Sequence, residues 1–490
     1  MKLKLTPAIT AGALVLAAIN TVYAQYTPPA PLQPFPGFIN DALRKQDPYY
    51  SVWDVGGAYR GRYEVKENGL GLPPINDFRK DGVDNDNSYL SQKVLARVSY
   101  ADKWWSAYVE GRSSTTSGDD RTPKFEKDGP VDLHQAYMTL GNHKEFPVSL
   151  KVGRQELSYG DERLVGAFAW HNIGRVFDAA KLRWQNEYFA AEVFSGRIVL
   201  PNHNNFNVNN EDSLFSGVHL TTKMLPKVTS ELYFFAKNDD AGSTSADTGS
   251  FAPFLVAGPA ERNIYTLGGR FKSNPGEFGN FDFTLEGSYQ LGDWKQTPVA
   301  ARIDHEAYAF MVNVGYTFGD PLNPYASRLA LEYAFASGDS SATDGKHETF
   351  ENLYPTNHKF YGYMDFLSWQ NIHDVRLAYT MKPHPRMSLA IEGHMFWLAD
   401  TADSFYNVGG VARGGQAATP GNGYGRNSTY DSYVGSEIDV VTGFIVTKYA
   451  TLEAGYGHFF RGDYIKQSWS GTGFGSRDAD WVYLQTVVRF

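Results

Sequence analysis

From residue 52 to its end, the chain alternates apolar and polar side chains with a period of two. Successive side chains of a strand point to opposite faces, so a sheet with this pattern separates two different environments. Phe281, Phe283, Leu285, Tyr289 and Leu291 interleave with Asp282, Thr284, Glu286, Ser288 and Gln290. Leu329, Leu331, Tyr333 and Phe335 interleave in the same way with Arg328, Ala330, Glu332 and Ala334. Marking every such run predicts eighteen strands, near 52–65, 89–101, 104–113, 131–141, 148–156, 175–184, 188–199, 214–222, 229–237, 263–273, 280–291, 305–318, 327–337, 368–380, 386–399, 436–447, 450–460 and 481–490.

The joints between these runs carry a second pattern. After even-numbered runs they are short, as at Asp102-Lys103 and from Gln185 to Glu187. After odd-numbered runs they are long and polar: 66–88, 114–130, 157–174, 200–213, 238–262, 292–304, 338–367, 400–435 and 461–480. This is the rhythm of a transmembrane β-barrel with periplasmic turns and extracellular loops. Mean hydropathy is −0.40, and past the N-terminus no stretch approaches the roughly 18 apolar residues of a spanning helix. Backbone groups facing lipid must be satisfied internally, so the sheet must close. The fold class is therefore all-β, an antiparallel transmembrane barrel of about 18 strands. A soluble sandwich would not explain the loop asymmetry, and a propeller would show a repeat of about 40–50 residues.

The two ends fit that reading. Met1-Lys2-Leu3-Lys4, the apolar run from Ala8 to Ile19 and Val22-Tyr23-Ala24 form a secretory signal peptide, with cleavage expected after Ala24. Residues 25–50 are Pro-rich and read as an extended periplasmic leader, with about two helical turns over 38–45. The barrel domain then covers 51–490. The last run places residues 482, 484, 486, 488 and 490 on one mostly apolar face that ends in Phe490. It resembles the terminal strand that outer-membrane barrel assembly machinery recognises, which makes that machinery an expected partner. The localisation is the outer membrane of a Gram-negative bacterium, and the leader leaves room for a periplasmic partner.

Composition narrows the chemistry. Cysteine is absent, which removes disulfides and thiolate metal sites. The net charge of −9 lacks the basic footprint of a nucleic-acid binder. No serine sits in a nucleophile motif and no HExxH occurs, so no enzyme is expected and no cofactor is called for. Asp81, Asp84 and Asp86 have the oxygen density of a calcium loop without the spacing of an EF-hand; a solvated turn is the plainer reading. Trp104, Trp105, Trp170, Trp294, Trp369 and Trp397 fall near strand ends, where interfacial girdles sit.

Barrels of this width enclose a water-filled lumen, so function lies in inward residues and in loops that fold into the pore. Strand parity points Arg60, Arg62, Lys93, Arg97, Arg112, Lys181 and Arg183 inward from the first six strands, with Arg270, Lys272, Arg328, Arg376 and Arg489 further on. Inward acids, among them Glu286, Glu332, Asp374, Glu392, Glu437, Asp439 and Glu453, gather on strands eleven to seventeen. A basic wall should face an acidic one, and a stripe of arginines can pass carboxylates from site to site. The runs 338–367 and 400–435, the longest and richest in Gly and aromatics, are the expected plugs.

Three stretches are more specific. Val152-Gly153-Arg154-Gln155-Glu156-Leu157-Ser158-Tyr159-Gly160-Asp161-Glu162-Arg163, followed by Trp170, Asn172 and Arg175-Val176-Phe177-Asp178, resembles the alginate export family of outer-membrane porins, of the alginate production type. Leu353 to Asp365, and Gly435 to Val441 with Thr447-Lys448-Tyr449, resemble a long loop and the penultimate hairpin of that family. The resemblance implies an eighteen-stranded barrel whose arginine-lined pore conducts an anionic uronate polymer outward. Carried over by position, it puts Arg154 and Arg163 at the constriction, beside Glu156, with Glu437 and Asp439 on the opposing wall. On the residues alone, Arg154 could instead pair with Glu156 or Asp178 and brace the wall. The inward charges are nearly balanced, where a dedicated polyuronate exporter should be strongly electropositive. Uptake of small carboxylates or oligosaccharides is therefore the alternative.

Overall fold

Lipid offers a peptide group no hydrogen-bond partner, and a computed structural model of the chain meets that constraint with a sheet that has no edge. It describes residues 37–69, 77–78, 86–121, 126–129, 131–142, 145–202, 205–240, 261–295, 299–413, 424–469 and 477–490. The expected signal peptide, the Pro-rich stretch before residue 37, and Asp81 and Asp84 lie outside these residues.

Eighteen strands form the wall: β1 Trp53–Glu67, β2 Asp86–Ala101, β3 Trp105–Ser117, β4 Asp132–Leu140, β5 Val148–Gln155, β6 Phe177–Gln185, β7 Phe189–Leu200, β8 Ser213–Thr222, β9 Val228–Asp239, β10 Arg262–Ser273, β11 Phe281–Trp294, β12 Ile303–Thr317, β13 Arg328–Ala336, β14 Ile372–His384, β15 Met387–Leu398, β16 Tyr433–Thr447, β17 Ala450–Arg461 and β18 Ala479–Arg489. Each pairs antiparallel with the next, and β18 pairs back onto β1 from Ala58↔Arg489 to Glu67↔Asp480. Gly57 and the terminal Phe490 extend that seam by exchanging N–H···O bonds, both 2.9 Å. One glycine is required by geometry: Gly435 sits at φ +154° beside the register shift between β15 and β16, where a Cβ would strike the Phe460 carbonyl.

The alternation resolves into two surfaces. Val94, Val98, Leu182, Leu267, Leu331, Leu377 and Leu484 are exposed on the outside, the burial pattern of a lipid belt. The opposite parity buries Arg62, Glu64, Lys93, Arg112, Glu332, Asp374, His394, Glu437 and Asp439 inside. The interior also holds an apolar core built on the long connections. Tyr354 packs edge-on against Phe177 and Phe215, at 5.1 and 4.8 Å between ring centroids. Across the lumen, Phe366 lies against Phe78 and Phe459 at 5.0 and 4.9 Å.

Before the first strand, α1 spans Phe38–Gln46. Asn40 accepts from the Val55 N–H at 2.7 Å, Arg44 donates to the Trp53 carbonyl at 2.9 Å, and Asp41 takes Lys448 and the Tyr449 hydroxyl, both 2.6 Å. The helix thus lies across the seam where β1 meets β18. Two tryptophans expected in the girdles are elsewhere. Trp369 is fully buried and Trp170 packs on Trp481 and Tyr483 inside the barrel, because both stand on connections that turn inward.

A basic residue on the lipid face tests the two-surface assignment. Leu331→Arg, at a position 56% exposed on the outward face of β13, should cost about 2–4 kcal/mol in urea unfolding from lipid vesicles. Val299→Arg, on an extracellular connection, should change stability by less than about 0.5 kcal/mol.

Candidate functional site

Two extracellular connections enter the barrel and interlock. The first, residues 156–176, joins β5 to β6; the second, 337–371, joins β13 to β14. The Tyr354 N–H donates to the Leu164 carbonyl and the Gly166 N–H to Tyr354, both 2.8 Å, a single parallel bridge, and the Thr356 N–H donates to the Glu162 carbonyl at 2.9 Å. Arg175 staples the pair: one guanidinium nitrogen donates to the Gly166, Tyr354 and Pro355 carbonyls at 2.9, 2.6 and 2.9 Å. Arg163 ties both to the wall, donating to Glu332 of β13 at 2.7 Å and to the Tyr361 hydroxyl at 3.1 Å, over the Phe360 ring at 3.9 Å. Burial alone would lower the Arg163 pKa; the charges of Glu332 and its neighbours outweigh it and raise the value.

The two charged walls grip opposite ends of the peptide group. On the basic side Arg60 donates to the Ala169 carbonyl (3.0 Å), Arg62 to Trp170 (2.9 Å), Lys93 to His171 (2.8 Å) and Arg112 to Ile173 (2.7 Å). Ser114 donates to the Asn172 carbonyl at 2.7 Å, and the Arg62 guanidinium lies 3.8 Å over the Trp170 ring. On the acidic side the direction reverses. Glu437 and Asp439 of β16 accept from the backbone N–H groups of Met364 (2.8 Å) and Tyr363 (3.4 Å). Gly362 permits that approach, since its φ is +84° and a Cβ would stand 2.5 Å from a Glu437 oxygen. Trp170 and His358, stacked at 4.0 Å and 10°, join the two connections at the centre.

The other expected residues take these places. Arg97 lies 3.8 Å from Glu110, Lys181 and Arg183 both pair with Glu192 (3.2 and 2.5 Å), and Arg376 pairs with Glu392 (2.6 Å). Glu156 meets His134 at 3.2 Å. Arg154 is not at the constriction. It pairs with Asp178 through two nitrogens, 2.8 and 3.0 Å, and both share the outward parity of Val152 and Leu182. The bracing alternative describes it. Asp86 opens β2 opposite Glu67, and among the described residues no group of three or more His, Asp or Glu could hold a metal ion. Residues 157–174, not expected as a plug, fill the lumen together with 338–367. The described part of 400–435 packs against the second insert, with the Val408 carbonyl accepting from Asn357 at 2.7 Å and Asp403 from Thr349 at 2.6 Å, and stacks Phe405 on Tyr424, 4.4 Å apart, toward the helix α2, Asp463–Trp469.

Below the inserts, toward the periplasmic turns, lies a cavity of about 420 Å³ lined by Arg163, Lys272, Asn280, Asp282, Asn313, Arg328 and Arg376. Sequence reading missed Arg175 as a staple and Lys151 as a lumenal cation. Lys151 was legible from parity, since it alternates with the outward Leu150 and Val152; Arg175 stands outside any periodic run, and nothing local marks it.

Comparison with known proteins adds three findings. A family model described as alginate export matches residues 52–473. The structure resembles those of Pseudomonas aeruginosa OccK11 (OpdR) (TM-score 0.51, 15% identity, covering 89% of this chain and 96% of that one) and OccK3 (OpdO) (0.52, 13%, 89% and 96%). Acinetobacter baumannii OccAB1 is similar to the same degree, with TM-score 0.52, 10% identity, and 89% and 97% covered. At such identities these likenesses establish the fold alone. No curated protein matches the sequence.

Two outcomes are expected. Arg175→Ala leaves the Gly166 and Pro355 carbonyls without their donor, at about 1–3 kcal/mol for each, while Tyr354 keeps the Gly166 N–H. Limited proteolysis should then cut within 157–176 faster, while the heat-modifiable gel shift of the barrel stays unchanged. The second concerns pH. Burial, then the charges of Lys93 and Arg62, hold the His171 pKa well below its ordinary 6.5. A depressed histidine contributes stability that is full above 6.5 and is lost as pH falls toward the folded value. Single-channel current noise should therefore rise on acidification below about 6.5, and His171→Asn should flatten that rise.

Proposed function

Because the chain belongs to the alginate export family, we propose that it is an outer-membrane channel for an anionic saccharide of the uronate kind, which passes by taking over the donors that now hold the first insert. One observation carries this reading. Arg60, Arg62, Lys93 and Arg112 form a ladder of cations across three adjacent strands, and each donates to a backbone carbonyl of residues 169–173. A carbonyl is a neutral acceptor, and a carboxylate is a stronger partner for the same guanidinium. The insert occupies the wall as a substitute ligand that a chain of carboxylates can replace one contact at a time. Family and fold are those of transport channels.

A second reading, uptake of small carboxylates or neutral oligosaccharides, is favoured by the acidic wall. Asp374, Glu392, Glu437 and Asp439 are buried close together on β14, β15 and β16 and would repel a polyanion that filled the lumen. The tethering of Glu437 and Asp439 to the second insert supports a path along the basic side alone.

A disulfide that pins the second insert to the wall tests the exchange, because the Tyr354 bonds and Arg175 lock the first insert to it, and the chain's lack of cysteine makes the result clean. A Cβ at Gly457 stands 2.9 Å from Met364 Cγ, where the sulfur of a cysteine would sit. In planar bilayers, oxidised Met364→Cys/Gly457→Cys should conduct several-fold less than the reduced form and should not respond to oligo-uronate. The reduced form should prefer anions and be blocked by oligo-uronate. Equal conductance in both states rejects the insert as the gate, and cation selectivity with indifference to uronate favours the second reading.

A further inference from the structure

We infer that the periplasmic half of the wall carries a separate capture site for the carboxylate of a sugar acid, built from Lys151, Lys181 and Arg183 beside the Tyr108–Tyr137 pair; this rests on the anionic-saccharide reading above. Lys151 and Lys181 stand directly opposite each other on β5 and β6, on the inward face. Like charges in that position repel, and a fold that keeps them needs a counter-charge. The wall supplies too little. Glu192 is shared between Lys181 and Arg183, and Lys151 reaches no carboxylate within ion-pair distance among the described residues. Its Nζ lies instead 3.6 Å over the ring of Tyr137.

The contrast with the inserts' side of the wall is the argument. There Arg62, Lys93, Arg112 and Arg163 each find a carbonyl or a carboxylate of this chain. Here two lysines and an arginine have one directly paired acid between them, with Glu156 acting on Lys151 only at longer range, and the Arg183 side chain is 39% exposed and Lys181 21%. A carboxylate placed between Lys151 and Lys181 removes the repulsion, and Arg183, whose Nε serves Gln185 and one terminal nitrogen Glu192, turns its other terminal nitrogen to a second oxygen or a hydroxyl. Tyr137 stacks on Tyr108 at 5.0 Å and 13°. That pair offers an apolar edge and the Tyr137 phenol oxygen to a sugar ring, the Tyr108 oxygen being held by Arg97 and Glu110.

Its depth gives the site a direction. On β3, Tyr108 lies four residues closer to the periplasmic turn than Arg112, which holds the insert; at ~3.3 Å per residue this is about 13 Å. On β6, Lys181 lies four residues beyond Phe177, whose ring packs on Tyr354 of the second insert. A saccharide arriving from the periplasm meets this site before the inserts, and one arriving from outside meets it last.

The test uses the full refolded chain with two probes, a uronate hexamer and the single sugar glucuronate, in calorimetry and in bilayers with the probe added to one side. Lys151→Gln should weaken binding of both probes at least tenfold and slow block from the periplasmic side, with block from the extracellular side unchanged; Lys151→Arg should restore both. An unchanged gel shift certifies the fold of each variant. If the hexamer still blocks and binds Lys151→Gln as it does the parent, the capture site is overturned and the channel reading stands. If glucuronate binds in a Lys151-dependent way but the hexamer neither binds nor blocks, the site stands and the polymer reading falls. If neither probe binds the parent chain, the site is overturned.

Discussion

Everything in this molecule follows from closing one hydrogen-bond ladder in a medium that cannot substitute for it. The seam of β1 with β18, extended by Gly57 and Phe490, removes the last free edge. With all backbone groups spent on the wall, its outer face has only lipid to meet and is apolar. Polar and charged side chains are left the interior, and burial there is costly unless each finds a partner. The lumen of this chain therefore cannot be a bare charged tube. Arg62, Lys93, Arg112, Glu332 and Glu437 are nearly or wholly buried and need acceptors and donors close by.

The inserts answer that need with the peptide group itself. A peptide group carries an acceptor at one end and a donor at the other, so one basic wall and one acidic wall can hold two connections without any formal charge on the backbone. The basic side takes carbonyls of 169–173 and the acidic side takes N–H groups of 363–364. Arg163 and Arg175 then lock the two connections to each other and to β13. The result is a filled lumen whose contacts are strong one by one and yet exchangeable for the groups of an acidic sugar. Between Tyr108 and Arg183 the inserts bring only the Tyr159 ring, 5.9 Å from the Lys181 ammonium, and the positive charge of the wall stays partly unanswered.

Much of the wall was legible in the sequence because parity is a local property. Arg62, Lys93 and Arg112 were assigned inward by counting residues from outward leucines and valines, and they point inward. The same count puts Arg154 outward with Val152; the motif around it suggested the constriction, and the register and the Asp178 pair show it bracing the wall. Lys151 obeys the same count, on a short strand between outward Leu150 and Val152. Trp170 and Trp369 were placed at the membrane interface because nothing in a loop's sequence says whether it turns outward or inward.

The sequence by itself determined that the chain closes into an eighteen-stranded barrel in a membrane, because a period of two and a short–long rhythm of joints are written within a few residues of each other. Only the tertiary structure decided what fills the barrel. The contacts that seat the inserts join Arg163 to Glu332, 169 positions apart, and Arg175 to Tyr354, 179 apart. No local period records such pairs: they exist once the wall has brought β5 and β13 to opposite sides of one lumen, and the charges there have nothing else to bind.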